Sequence, residues 1–193
     1  MLGLKLPTDP RWVNIVEKNL AEILTDHAWC EQKAASSAIS VVTKFPEYDE
    51  IVSVLTEIAI EEMEHFKMVH ELILRRGLKL GVECKDPYVH DLAGFIKKGG
   101  NREMQLCDKL LLSAMIEARS CERFRLLSEE LNDEEIAVFY RDLMESEARH
   151  YTTFLGLARK YCPNVDVDKR WKLFLEFEAT LMDKYGKKET MHG

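Results

Sequence analysis

Apolar residues recur at steps of three and four along most of the 193-residue chain, the period of helices that each bury one face. A first helix is expected from the Asp9-Pro10 cap to about Thr43, with the inward line Val13, Val16, Leu20, Leu24, His27, Glu31, Ala34, Ala38, Val41. A second runs from near Asp49 to Arg75-Arg76-Gly77, through Ile51, Leu55, Ile58, Glu62, His65, Val69 and Leu72. The pattern then breaks until about Asn101, where glycines and Asp86-Pro87 leave room for one short helix, near Tyr88 to Ile96. A third long helix follows from Arg102 to Glu130 along Cys107, Leu110, Ala114, Glu117, Cys121 and Phe124. The fourth is capped at Asp133, passes Ile136, Tyr140, Leu143, Glu147, His150, Phe154 and Leu157, and stops before Pro163. A fifth, Asp168 to about Tyr185, presents Trp171, Leu175, Glu178 and Met182 and is expected outside the other four, with a frayed tail from Gly186 to Gly193. The fold class is all-α: a four-helix bundle with a long crossover between helices two and three and an additional C-terminal helix, in one domain over residues 1–193. Its core spans about 9–161 and its outer helix about 168–185.

The polar interruptions of these inward lines form a pattern of their own. Glu62 and His65, like Glu147 and His150, make a Glu-x-x-His step, and a lone glutamate, Glu31 or Glu117, precedes each at almost the same distance. If each lone glutamate faces its motif on antiparallel helices, the turns must fall near Pro46 and Asn132, and both places carry helix breakers. Each site then lies about 15 residues, or about 22 Å, from its turn, in the middle of the helices. Glu189 and His192 repeat the bare motif outside any such frame, as chance allows.

Four buried carboxylates need cations, since an unpaired buried charge costs several kcal/mol. Two divalent ions would balance them, and oxygen-rich ligands with one imidazole per ion suit iron or manganese better than zinc. Glu31, Glu62 and His65 are assigned to one ion and Glu117, Glu147 and His150 to the other, with Glu62 and Glu147 as bridges. Glu61 and Ser146, beside the motif glutamates, are candidates to hydrogen-bond the histidine of the opposite half, and His27, one turn before Glu31, is a candidate to line the pocket.

Composition narrows the class. The longest apolar runs are broken by charge and no secretory leader pattern opens the chain, so a soluble cytoplasmic protein without a membrane role is expected. Five scattered cysteines, without a Cys-x-x-Cys pair, indicate neither a disulfide framework nor a cysteine metal centre. A net charge of -7 argues against a nucleic-acid coat but leaves room for a local basic patch.

Beyond the ligands, the stretches Asp26–Ala35, Glu61–Phe66, Glu117–Phe124 and Glu145–Tyr151 resemble the tRNA methylthio-isopentenyladenosine hydroxylases, within the ferritin-like di-iron carboxylate proteins. The resemblance implies a ferritin-like fold and a non-haem di-iron monooxygenase. It would use two iron ions, O2 and electrons from an external donor or reductase to hydroxylate the isopentenyl chain of a modified adenosine beside the anticodon of tRNA. Lys97, Lys98 and Arg102 around the Gly99-Gly100 turn, Arg75 and Arg76 at the end of helix two, and Lys184, Lys187 and Lys188 are then candidates to hold tRNA phosphates. Arg119, Arg123 and Arg125 are assigned instead to ion pairs with Glu122 and Glu129. The same ligand pattern also serves iron-oxidising or storage proteins, di-manganese catalases and rubrerythrin-like peroxidases.

Overall fold

A computed structural model describes residues 2–96, 99–185 and 191. It contains seven helices and, among the described residues, no strand. The chain divides into two compact units. One comprises residues 18–85 with Met191, and the other takes the chain up to residue 17 and from residue 86 onward, apart from a short C-terminal stretch around Met191.

The unit of residues 18–85 is a helical hairpin of α2 (Leu20–Lys44) and α3 (Asp49–Arg75). Its apolar seam includes Leu24, Ala28, Ala38 and Val41 of α2 and Ile51, Leu55, Val69 and Leu72 of α3, all buried as their spacing requires. Phe45 is fully buried in the turn, where its N–H caps the Val41 carbonyl at 2.9 Å. At the other end Gly77 takes φ +68°, and the Leu78 N–H reaches back to the Ile73 carbonyl at 3.0 Å, so the helix ends in a left-handed cap that favours glycine. The following segment lies along α2. Trp29 Nε1 donates to the Gly81 carbonyl at 3.0 Å, the Gly81 N–H to Thr25 Oγ1 at 3.2 Å, and Lys33 Nζ to the Cys84 carbonyl at 2.9 Å.

The other unit contains α1 (Trp12–Lys18), the short α4 (Pro87–Ala93), the hairpin of α5 (Arg102–Glu130) and α6 (Glu134–Tyr161), and α7 (Val167–Tyr185). Both long helices are capped by side chains: Asn101 accepts from the Met104 N–H at 2.8 Å, and Asp133 from the Ile136 N–H at 3.2 Å. A buried ionic cluster ties the elements together. Arg119 donates to Glu178 of α7 at 2.6 Å, to Glu122 at 2.9 Å and to the Leu6 carbonyl at 3.0 Å. Tyr88 of α4 also donates to Glu178 at 3.1 Å, Thr8 to Glu122 at 2.6 Å, and Arg123 stacks 4.4 Å from the Trp12 ring.

The expected single first helix is two. Asn19, at φ -129° and ψ 39°, leaves the helical region between α1 and α2. Asparagine is a weak helix former, and the break falls at this residue although the apolar spacing continues across it. The short helix is also displaced, starting at the Asp86 cap and ending at Ala93. Of the expected frayed tail, Met191 is instead fully buried, its N–H donating to Asp26 at 2.6 Å. Residues 186–190 and 192–193, including the Glu189 and His192 repeat, lie outside the described residues.

Candidate metal centre

In the α2–α3 hairpin the inward line of α2 carries His27 and Glu31, and that of α3 carries Glu62 and His65. Spacings of four and three put each pair on one helix face. All four side chains are buried, with none more than 4% exposed. His27 Nε2 lies 2.6 Å from Glu31 Oε1, and His65 Nδ1 lies 3.6 Å from Glu31 Oε2 and 3.4 Å from Glu62 Oε2. One atom each of Glu31, Glu62 and His65 lie within 4.8 Å of one another.

The electrostatics of this set describe a demand for positive charge. Burial pushes the Glu31 carboxyl up to about 8, against the opposing pull of its contact with His65 and with Glu62 adding to the rise. Burial alone would lower His65, but the two carboxylates beside it outweigh that and raise it to about 10. Protons are then the cations that the set collects. A divalent ion would replace them, since metal ligation requires the carboxylates ionised and the imidazole neutral.

In the other unit α5 carries Glu117 and α6 carries Glu147 and His150, each 4% exposed or less. One atom from each lie within 4.8 Å of one another. Cys121 follows Glu117 by one turn, and burial, helped by the Glu147 carboxylate, pushes its thiol up to about 11, so it stays protonated at neutral pH. The residue one turn before Glu117 is Ser113, which is buried. Each set offers two carboxylates and one imidazole, a donor composition that fits a divalent iron or manganese ion.

The remaining expected site residues are scattered. Glu61 is half-buried, and Ser146 is buried and accepts from Arg149 Nη2 at 3.2 Å. Arg75 is exposed at the end of α3, Arg76 is half-buried beyond it, and Arg102 is exposed at the first position of α5. Lys97, Lys98, Lys187 and Lys188 lie outside the described residues, and Lys184 bonds Asp91 at 2.9 Å. Arg119 pairs with Glu122 and Arg125 with Glu129, as expected, but the stronger partner of Arg119 is Glu178, which the sequence reading left unassigned. Its signal was its place on the inward line of α7, where a lone glutamate among apolar residues requires a buried cation.

Comparison with known proteins places these features in a family. A tRNA 2-(methylsulfanyl)-N(6)-isopentenyladenosine(37) hydroxylase of Pseudomonas putida is 35% identical, over 93% of this chain and 86% of that one. One of Salmonella typhimurium is 30% identical, over 93% and 83%. Among solved structures, a Synechococcus protein described as having aldehyde deformylating oxygenase activity superposes with a TM-score of 0.91 at 33% identity, covering 98% of this chain and 95% of that one. The fold class is therefore all-α and ferritin-like. The model of one family matches residues 2–193, and the chain belongs to that family, tRNA-(MS[2]IO[6]A)-hydroxylase (MiaE).

Proposed function

We propose that this chain is a di-iron monooxygenase that hydroxylates the isopentenyl side chain of a methylthio-isopentenyl-modified adenosine in tRNA. The observation that carries the reading is that each helical hairpin, in a chain of this family, buries two glutamates and one histidine within ligand distance. Glu31, Glu62 and His65 would hold one iron and Glu117, Glu147 and His150 the other. Two divalent ions would bring +4 against the four carboxylates.

When bound, the iron pair supplies activation of O2, using two electrons from an external donor. The chain's own residues set the conditions for that chemistry. The glutamates would neutralise the ions' charge. The histidines would each offer one nitrogen to an ion, and burial of all six side chains keeps bulk water from them. No side chain needs to act as a nucleophile. Among the described residues, no helix is long and apolar enough to cross a membrane. Arg75, Arg76 and Arg102, with Lys97 and Lys98, are proposed to contact tRNA phosphates. Reversing the charge of Arg75 and Arg76 should weaken tRNA binding and flatten its salt dependence, and unchanged binding would remove them from the interface.

The test is nucleoside mass spectrometry of tRNA bearing the unhydroxylated modification, after incubation with iron-loaded protein, a reductant and O2. A gain of one oxygen atom, absent with Glu147→Ala, is the expected result. No gain from a preparation holding two irons would refute the hydroxylase. The Synechococcus neighbour supplies a second reading, so an aliphatic aldehyde is assayed in parallel; its conversion without tRNA hydroxylation would favour that chemistry.

A further inference from the structure

The two ligand sets match in their glutamates and histidines but differ one helical turn earlier. Before Glu31 stands His27, and before Glu117 stands Ser113. His27 has 0% exposure, and its Nε2 sits 2.6 Å from Glu31 Oε1, while Glu31 Oε2 faces His65 Nδ1 at 3.6 Å. The two oxygens of Glu31 are thus divided between two neighbours, with the second turned toward the other residues of the set.

Resting on the di-iron reading above, we propose that His27 is a positioning residue for Glu31: its Nε2–H holds Oε1, so that Glu31 offers the metal Oε2 alone. A neutral imidazole carries one N–H, so this role fixes the Nε2–H tautomer of His27. The bond runs from a buried donor to a carboxylate, the class of hydrogen bond that is shorter and stronger than a neutral one, and its length fits. It acts on one ion of the pair. A carboxylate oxygen held by an N–H is less available to a metal, which would favour binding through Oε2 alone, whereas the set preceded by Ser113 lacks an imidazole at that place. The two irons are therefore inequivalent, and the one held by Glu31 has the more constrained carboxylate.

The experiment uses metal-free full-length protein titrated with Co(II), following affinity by equilibrium dialysis and coordination by the visible d–d absorption. Wild type should bind two ions. His27→Leu and the more space-filling His27→Phe, which lack a donor, should lose about 10–100-fold in affinity at one of the two sites, the range for removing a residue that orients a metal ligand, and change the d–d bands of that site. His27→Gln, which retains an N–H, should recover most of the affinity and the wild-type spectrum. Two full-affinity ions with unchanged bands in the leucine and phenylalanine variants would overturn the proposal. So would a glutamine variant as weak as the leucine one, which would make His27 a ligand itself. Failure of wild type to bind two ions would instead sink the di-metal reading beneath it.

Discussion

The two helical hairpins carry the same ligand pattern in different surroundings. In the α2–α3 hairpin α3 behaves as an ordinary amphipathic helix, with 9 of its 27 residues buried in one stripe that includes Glu62 and His65. In the α5–α6 hairpin α5 is buried on most sides, at 20 of 29 residues, and its second polar system, built on Arg119 and Arg123, has a face of its own. One helix places its glutamate in a stripe and the other within an almost closed environment. A metal-binding pattern thus constrains a few inward positions, while the rest of each helix is free to solve a different packing problem.

The largest test of the shared part is removal of the corresponding glutamates. Glu62→Ala and Glu147→Ala should each abolish hydroxylation and leave fewer than two irons per chain, measured by metal analysis and the nucleoside assay. If one retained activity, the two sets would not be equivalent halves. The largest test of the different part is Arg119→Ala. It leaves the Glu178 and Glu122 carboxylates without their guanidinium, and breaking a buried pair by removing one partner costs about 3–5 kcal/mol. Melting of the metal-free protein should fall by roughly 6–20 °C for a domain of this size. A fall no greater than that of Arg125→Ala, whose pair with Glu129 is exposed and worth about 0.3–0.5 kcal/mol, would mean that the cluster is not a stabilising anchor.

How much of this was legible follows from the physics of each element. The six residues proposed as ligands were readable because they interrupt apolar lines, and the turns between helices because they need breakers, Pro46 and Asn132. The break at Asn19 was not readable, since apolar spacing continues across it while the backbone leaves the helical region at this one residue. The Arg119 cluster was only half readable. Glu122 is a near neighbour on the same helix, but Glu178, Tyr88 and Thr8 come from distant segments, and sequence spacing says nothing about which of them meet. His27 was visible as an inward histidine, but its bond to Glu31 needed coordinates.

Two smaller effects sharpen the comparison at the helix ends. Gly77→Ala places a Cβ at φ +68°, a conformation costing an L-residue about 1–2 kcal/mol, although no atom lies within 4 Å of the new methyl. Melting of the metal-free protein should drop by about 2–8 °C, and unchanged melting would mean that the cap rearranges.

Asp133→Ala should act by a different route and more weakly. Its side chain accepts the Ile136 N–H at the start of α6, and losing such a cap costs about 1 kcal/mol, or roughly 2–4 °C. The turn of the α2–α3 hairpin has no counterpart to lose, because Tyr48 makes no side-chain cap bond to α3, which starts instead on Asp49 and Glu50. Tyr48→Ala therefore removes no cap bond, while Asp133→Asn, which keeps a cap acceptor, should restore most of what Asp133→Ala removes. Since Glu147 and His150 lie about four to five turns beyond the cap and end fraying is confined to the first turn, iron content should stay at two per chain in all three variants. Loss of iron in Asp133→Ala would show that the α5–α6 set depends on its helix terminus, and would break the parallel with the α2–α3 hairpin at its weakest point.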